Sequence, residues 1–251
     1  MKAVEPRRGN LRSLLVPGVA ALAAFLVLIG LGTWQLQRKT WKEGLIATLS
    51  ERLAAPPVPL PDRAQWPTLD RERLEFTRVV FSAEFLHDRE ALVYSIGSTL
   101  RAGAATGPGY AIFTPARLAN GGTVFVNRGF VPDPLRDPAR RAAGQSTGPV
   151  EIVGVMRWPD AASTFTPAPD PGKNLWYVRD PGAIAAAKQI EAPPFYIEQE
   201  GPTPAGGWPQ PARLQPTLPN SHLQYVITWY GLAGALLAVF AVWAVRRYKA
   251  G

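Results

Sequence analysis

Cysteine is absent from the 251 residues, which rules out disulfides, thiolate metal sites and thiol redox chemistry on either side of a membrane. Histidine is nearly absent. His87 and His222 are the only two and lie far apart, so a zinc motif of the H-E-x-x-H kind is excluded. Neither a Walker-type phosphate loop nor a strand-to-helix nucleophile elbow is read from the chain. Acidic residues are no scarcer than a solvated domain requires, and nothing singles out a pair for acid–base work. The chain is therefore not expected to be an enzyme.

The most informative absence is that of charge. The 25 residues between Arg12 and Arg38 carry none, and from Leu214 to Val245 there is no formal charge either. Each stretch is long enough to cross about 30 Å of hydrocarbon as a helix. The first run, Leu14 to Leu36, exceeds the roughly 7 to 15 apolar residues of a secretory signal core. It ends in Trp34, Gln35, Arg38 and Lys39, which reads as an interfacial anchor. The second, Leu223 to Val245, is closed by Arg246 and Arg247, with Trp229, Tyr230 and Trp243 towards its ends. Small residues four apart, Ala20 with Ala24 and Gly231 with Ala235, either let the two helices approach closely or are ordinary membrane-helix composition.

The net charge of +8 would ordinarily raise nucleic acid as a partner, but residues 1–13 and 246–251 each hold +3, leaving only +2 between them. The excess belongs to the membrane flanks, so no nucleic acid is expected. The positive-inside rule places the C-terminus in the cytoplasm, because the other flank of the second helix has no charge. With two spans both termini are then cytoplasmic. The expected organisation is a cytoplasmic 1–13, spanning helices 14–36 and 223–245, a periplasmic β-rich domain 37–222 and a cytoplasmic 246–251.

Between the helices, Ala54 to Pro67 contains five prolines and reads as a linker. Runs rich in Val, Phe, Tyr and Ile follow, at Leu74 to Leu86, Ala91 to Ile96, Tyr110 to Pro115, Thr123 to Val131, Val150 to Met156 and Phe195 to Gln199. These read as strands. His87 to Arg89 and Asn120 to Gly122 are expected as hairpin connections, with His87 exposed. Pro181 to Ile190 looks helical, and Pro132 to Pro149 and Gly201 to Pro219 read as loops. The fold class is a membrane protein of α+β type, two helices flanking a mostly antiparallel β domain in the form of a small barrel or sandwich.

Three clusters stand out: GTWQLQRKTWK at 32–42, VNRGFVP at 126–132 and PNSHLQYVITWYGLA at 219–233. Interface anchoring explains most of the first. The second is a strand ending in a turn, where Gly129 permits unusual dihedrals and Arg128 could pair with a carboxylate. In the third, Ser221 and Gln224 fit a capping box that puts His222 in the first helical turn. Tyr225 and Trp229, three and seven residues on, share its face. The positive end of a helix dipole favours the neutral imidazole, whose lone pair suits an axial position on haem iron. Free amides of that turn, with Arg38, Lys39 or Lys42, could receive propionates. An ordinary interfacial histidine fits the same residues.

Taken together, the clusters resemble the Surfeit locus protein family over nearly the whole chain. The pattern runs through Gly32, Trp34, Gln35, Arg38, Trp41 and Lys42; Val126 to Gly129; Asn174, Trp176 and Tyr177; and Asn220, His222, Leu223, Tyr225, Thr228, Trp229 and Tyr230. Phe130 stands where the family usually has Trp, and Ser221 where Asn commonly precedes the histidine. The resemblance implies a non-enzymatic assembly factor of cytochrome c oxidase in the inner membrane. It implies haem a as a transient cofactor, with His222 as axial ligand and Tyr225, Trp229, Arg38 and Lys42 around it. The implied partners are the oxidase core subunit, with haem a synthase as a further candidate, and the lipid bilayer. A scaffold that steadies the subunit without binding haem is the alternative.

Overall fold

The computed structural model describes residues 12–96, 107–211, 214 and 221–250, without the side chains of 12, 13 and 250. The basic residues Lys2, Arg7 and Arg8, Asn220 of the closing motif and residues 215–219 of the last loop lie outside the described residues. The chain forms two units, residues 1–47 with 218–251 and residues 48–217. The first helix, α1 (Arg12–Ala54), holds 43 residues and runs on well past Leu36. Pro56 and Pro57 end it, since a residue before proline is pushed out of the helical region.

In the β unit the elements are β1 (Val58–Pro59), α2 (Arg71–Leu74), β2 (Arg78–Phe85), β3 (Ala91–Ile96), β4 (Pro108–Leu118), β5 (Thr123–Pro132), β6 (Pro149–Arg157), β7 (Leu175–Trp176), α3 (Pro181–Lys188) and β8 (Tyr196–Glu200). The strand order is β1-β2-β6-β8-β5-β4-β3-β7, and a further pairing of β2 with β4 closes a barrel-like ring. Most pairings are antiparallel; β1 with β2, β3 with β7 and β5 with β8 are parallel. Val79, Val124, Val126, Ile152, Met156, Phe195 and Ile197 form one core cluster, under Trp66 and Trp158. The Trp66 indole crosses Phe195 edge-on at 5.8 Å and donates to the Pro61 carbonyl at 2.9 Å, so the large ring is buried without an orphaned donor.

Two expectations for this unit are corrected. Asn120 to Gly122 does turn β4 into β5, with the Asn120 side chain accepting from the Gly122 amide at 3.1 Å. His87 to Arg89 is not a hairpin connection, because β2 and β3 do not pair with each other. Both run antiparallel to β4, β2 along Ala116–Leu118 and β3 along Pro108–Phe113, so the chain turns a corner at His87. β4 is long enough to take both neighbours end to end, and His87 at the corner is half-buried rather than exposed, while Asp88 and Arg89 face solvent. Nor does β5 end in a turn at Gly129. Arg128 and Gly129 lie between the pairs Ala111 with Phe130 and Phe113 with Asn127, a bulge inside the strand.

The last helix, α4 (His222–Ala250), pairs with α1 within the helical unit. A Cβ on Gly32 would lie 2.5 Å from the Tyr230 ring, so only glycine allows that approach, and Gly18 similarly meets Phe240. Tyr230 Oη and Thr33 Oγ1 are hydrogen-bonded at 3.1 Å. Ala20, Ala24, Gly231 and Ala235, whose spacing fitted either a close approach or ordinary membrane-helix composition, are exposed and outside the contact. At 3.6 residues per turn Val226, Tyr230 and Ala233 share one face of α4, and Gly231 and Ala235 fall on another. Outward-facing Leu22, Leu26, Ile227 and Val239 are all more than half exposed. Both helices are long and apolar enough to cross a membrane, and almost none of their apolar length is buried as a soluble core helix would be. That fits a membrane-anchored protein.

Candidate functional site

The helical unit brings together two of the sequence clusters. α4 begins at His222, with the Gln224 and Tyr225 amides donating to the Ser221 carbonyl at 3.1 and 3.4 Å. The His222 ring is half-buried, and its Nδ1 meets Gln35 Oε1 on α1 at 2.7 Å. An amide oxygen accepts, so Nδ1 is the donor and Nε2 is the ring nitrogen left outside this bond. Gln35 belongs to the first cluster, yet its role as partner of His222 escaped the sequence reading. Only the pairing of the two helices reveals it, because the residues are separated by the entire β domain.

The other expected site residues are placed as follows. Trp229 is half-buried, with an enclosed indole N–H that has no partner among the described residues. Tyr225 is 51% exposed and makes no ring contact with His222 or Trp229 among the described residues, so the expected aromatic wall is open on its Tyr225 side. Arg38 stacks over the Trp41 ring at 4.0 Å, and Lys39 pairs with Glu43 at 2.8 Å. Arg38 and Lys42 follow Gln35 by three and seven residues, on the same face of α1.

A second polar assembly occupies the β unit. Asn127 donates to both carboxylate oxygens of Glu198 at 3.0 Å, and its Oδ1 accepts from the Gly129 amide. Gly129 has φ +117°, and a Cβ there would lie 2.0 Å from the Gln210 carbonyl, so both conformation and space require glycine. The bulge aims Arg128 at the corner, where its guanidinium donates to the Gly144 carbonyl and to His87 Nδ1, the latter at 3.2 Å. His87 Nε2 donates to the Ser146 carbonyl at 2.8 Å. Beside them Arg141 grips Glu90 through both terminal guanidinium nitrogens, and the Asn174 side chain donates to the Glu90 carbonyl at 2.9 Å. Arg141 sits in a segment expected to be a plain loop and is only 4% exposed.

The letters G-Q-S-T-G do occur, at Gly144 to Gly148, but they lead from a 3-10 turn into β6 rather than from a strand into a helix. His87 meets Ser146 through the main-chain carbonyl with a ring nitrogen as donor. This contact does not make a serine–histidine base pair.

Burial holds His87 below the ordinary imidazole range against the opposing pull of the Ser146 carbonyl, and the Arg128 charge adds to the lowering. An unfolded histidine titrates near about pH 6.5. Between that value and the lower one of the folded state, the unfolded chain binds more protons, so the stabilisation is complete above pH 6.5 and lost as pH falls. Thermal unfolding of the β unit followed from about pH 7 to pH 5 should therefore show a falling midpoint. His87→Gln, which keeps one donor and one acceptor, should flatten that slope. Parallel curves for the two proteins would place the acid sensitivity elsewhere.

Comparison with known proteins gives one consistent result. The model of the SURF1 family matches residues 22–234. A SURF1-like protein of Monosiga brevicollis is 39% identical over 238 residues, covering 92% of this chain and 88% of its own length. Surfeit locus protein 1 of Mus musculus is 37% identical, covering 89% and 76%. That of Homo sapiens is 36% identical, covering 82% and 70%.

Proposed function

Because the chain belongs to the SURF1 family, we propose that it is a membrane-anchored, non-enzymatic assembly factor that binds or positions haem a for insertion into the core subunit of cytochrome c oxidase. The observation that carries this reading is the hydrogen bond between Gln35 and His222. A histidine that ligates a metal through one nitrogen needs the other held by an acceptor, which fixes the tautomer and the ring plane. Gln35 does this and leaves Nε2 as the ligating atom. When bound, haem a would supply an iron that takes an imidazole nitrogen, together with an apolar macrocycle bearing two carboxylate arms. Trp229 offers an apolar ring and an indole N–H without a protein acceptor among the described residues. Arg38 and Lys42, on the Gln35 face of α1, are the cations for the carboxylates, and Tyr225 is the exposed ring beside the histidine.

The competing reading, a scaffold that steadies the assembling subunit without touching haem, draws support from the engagement of Arg38 by Trp41 and of Lys39 by Glu43. The two readings part on one measurement, the absorption spectrum of the protein purified from cells that make haem a. A stoichiometric Soret band supports haem binding, and a colourless protein supports the scaffold. The partners in either case are the oxidase core subunit and the lipid bilayer, with haem a synthase a further candidate and no nucleic acid.

We place the protein in the inner membrane with both termini cytoplasmic and the β unit in the periplasm, on the charge of the second helix's flanks. A periplasm-dependent reporter should be silent when fused after Gly251 and active when inserted near Gly144. Activity of the fusion after Gly251 would reverse the assignment.

A further inference from the structure

At one corner of the β unit two buried arginines, Arg128 and Arg141, share a single buried carboxylate, Glu90. Arg128 is 4% exposed and forms no ion pair among the described residues. Glu90, the carboxylate whose charge acts on Arg128, is committed to Arg141 through both oxygens, and His87 is held neutral between the Ser146 carbonyl and Arg128. Glu90, Arg141 and Arg128 together therefore carry one uncompensated positive charge. Desolvation lowers the Arg128 pKa to about 10, with the Glu90 charge opposing and Arg141 adding, so the group is still a cation at neutral pH. A buried charge without a counter-charge is costly, and folded proteins seldom keep one without a partner.

Arg128 also has donors to spare. Two of its five N–H groups go to His87 and Gly144, its Cζ lies over the Phe85 ring 4.8 Å from the centroid, and the rest have no protein acceptor among the described residues. Arg128 lines a cleft of about 400 Å³ whose other walls include Phe85, Val150, Ala205, Pro209 and Glu151. That is within the size range of small-ligand pockets, where apolar walls surround a few fixed polar groups.

We propose that this cleft is a binding site for a small monocarboxylic acid, its carboxylate on the Arg128 guanidinium and its apolar body against Phe85, Val150 and the proline wall. One guanidinium fork matches one carboxylate, and one negative charge balances the one uncompensated positive charge. Glu151 at the rim disfavours a doubly charged phosphate. The site lies wholly within the β unit and is independent of the His222 reading.

The test is calorimetric titration of the full chain in detergent with benzoate, with benzamide as the neutral isostere and inorganic phosphate as the alternative anion. Saturable benzoate binding is expected, weaker by at least about tenfold for benzamide and for phosphate. R128Q should lose benzoate binding by a similar factor, and R128K should recover part of it. Should R128Q fail to fold, A205F decides, since Ala205 is exposed, lines the cleft and makes no side-chain contact with Arg128. Loss of benzoate binding in folded A205F supports the site. No saturable benzoate binding to the wild type, equal binding of benzamide or phosphate, or undiminished binding in R128Q or A205F would overturn it.

Discussion

Replacing His222 with alanine is expected to lower the haem a content of the purified protein by at least about tenfold, while the helical content stays unchanged. His222 starts α4, and alanine is the better helix former, so the change removes the proposed ligand nitrogen without unsettling the helix. Gln35→Leu probes the same atom indirectly. It leaves the imidazole in place and removes the acceptor at 2.7 Å that holds Nδ1, so binding should weaken by about 10–100-fold. Gln35→Glu keeps an acceptor there and should restore much of the loss. His222→Met, with a thioether in place of the imidazole, should give weak ligation and a shifted Soret band. The readouts are the haem-to-protein ratio and the spectrum after purification. His222→Ala protein carrying as much haem a as wild type, with an unchanged spectrum, would refute the ligand assignment and favour the scaffold.

The second large effect belongs to the β unit, where Glu90→Gln is expected to cost about 3–5 kcal/mol of stability. Glu90 and Arg141 are each 4% exposed, and Arg141 Nη1 donates to Glu90 Oε2 at 3.0 Å while Nη2 contacts the other oxygen. A neutral amide strands the Arg141 charge in the interior and leaves Arg128 a second uncompensated cation as neighbour. Replacing both members of the pair, Glu90→Leu with Arg141→Met, should recover a large part of the loss, because a buried ion pair is costly mainly when half of it is removed. Denaturant unfolding of the full chain in detergent, read by near-ultraviolet circular dichroism, measures both. A loss below about 1 kcal/mol for Glu90→Gln would mean that the pair behaves as a solvated one.

Most strands were legible because each carries its own local record, although the run expected from Leu74 starts too early: Leu74 ends α2 and β2 begins at Arg78. Ala91 to Ile96 is a strand to the residue, and Thr123 to Val131 differs from β5 by one position at its end. Such runs of β-branched and aromatic residues between turn signals need no partner to be recognised. The two-residue strands β1 and β7 were missed, since they are too short for any period to show and exist only by pairing with β2 and β3. The error at His87 has a different origin. A short polar tripeptide between two strands has the same letters in a hairpin as at a corner, and only the length of β4, which accepts both strands, decides between them.

The sequence by itself determined the two long apolar helices, the barrel-forming strands and the family, because hydrophobic length, alternation and motif order are properties of the chain as a string. Tertiary structure alone decided that Gln35 holds His222, that Tyr230 rather than Gly231 faces Gly32, and that Arg128, His87, Glu90 and Arg141 share one buried corner. Each of these depends on which face of an element meets another, or on a one-residue bulge that redirects a side chain. Contacts between residues so distant along the chain are set by packing and by the need to satisfy buried charge, and neither leaves a local signature.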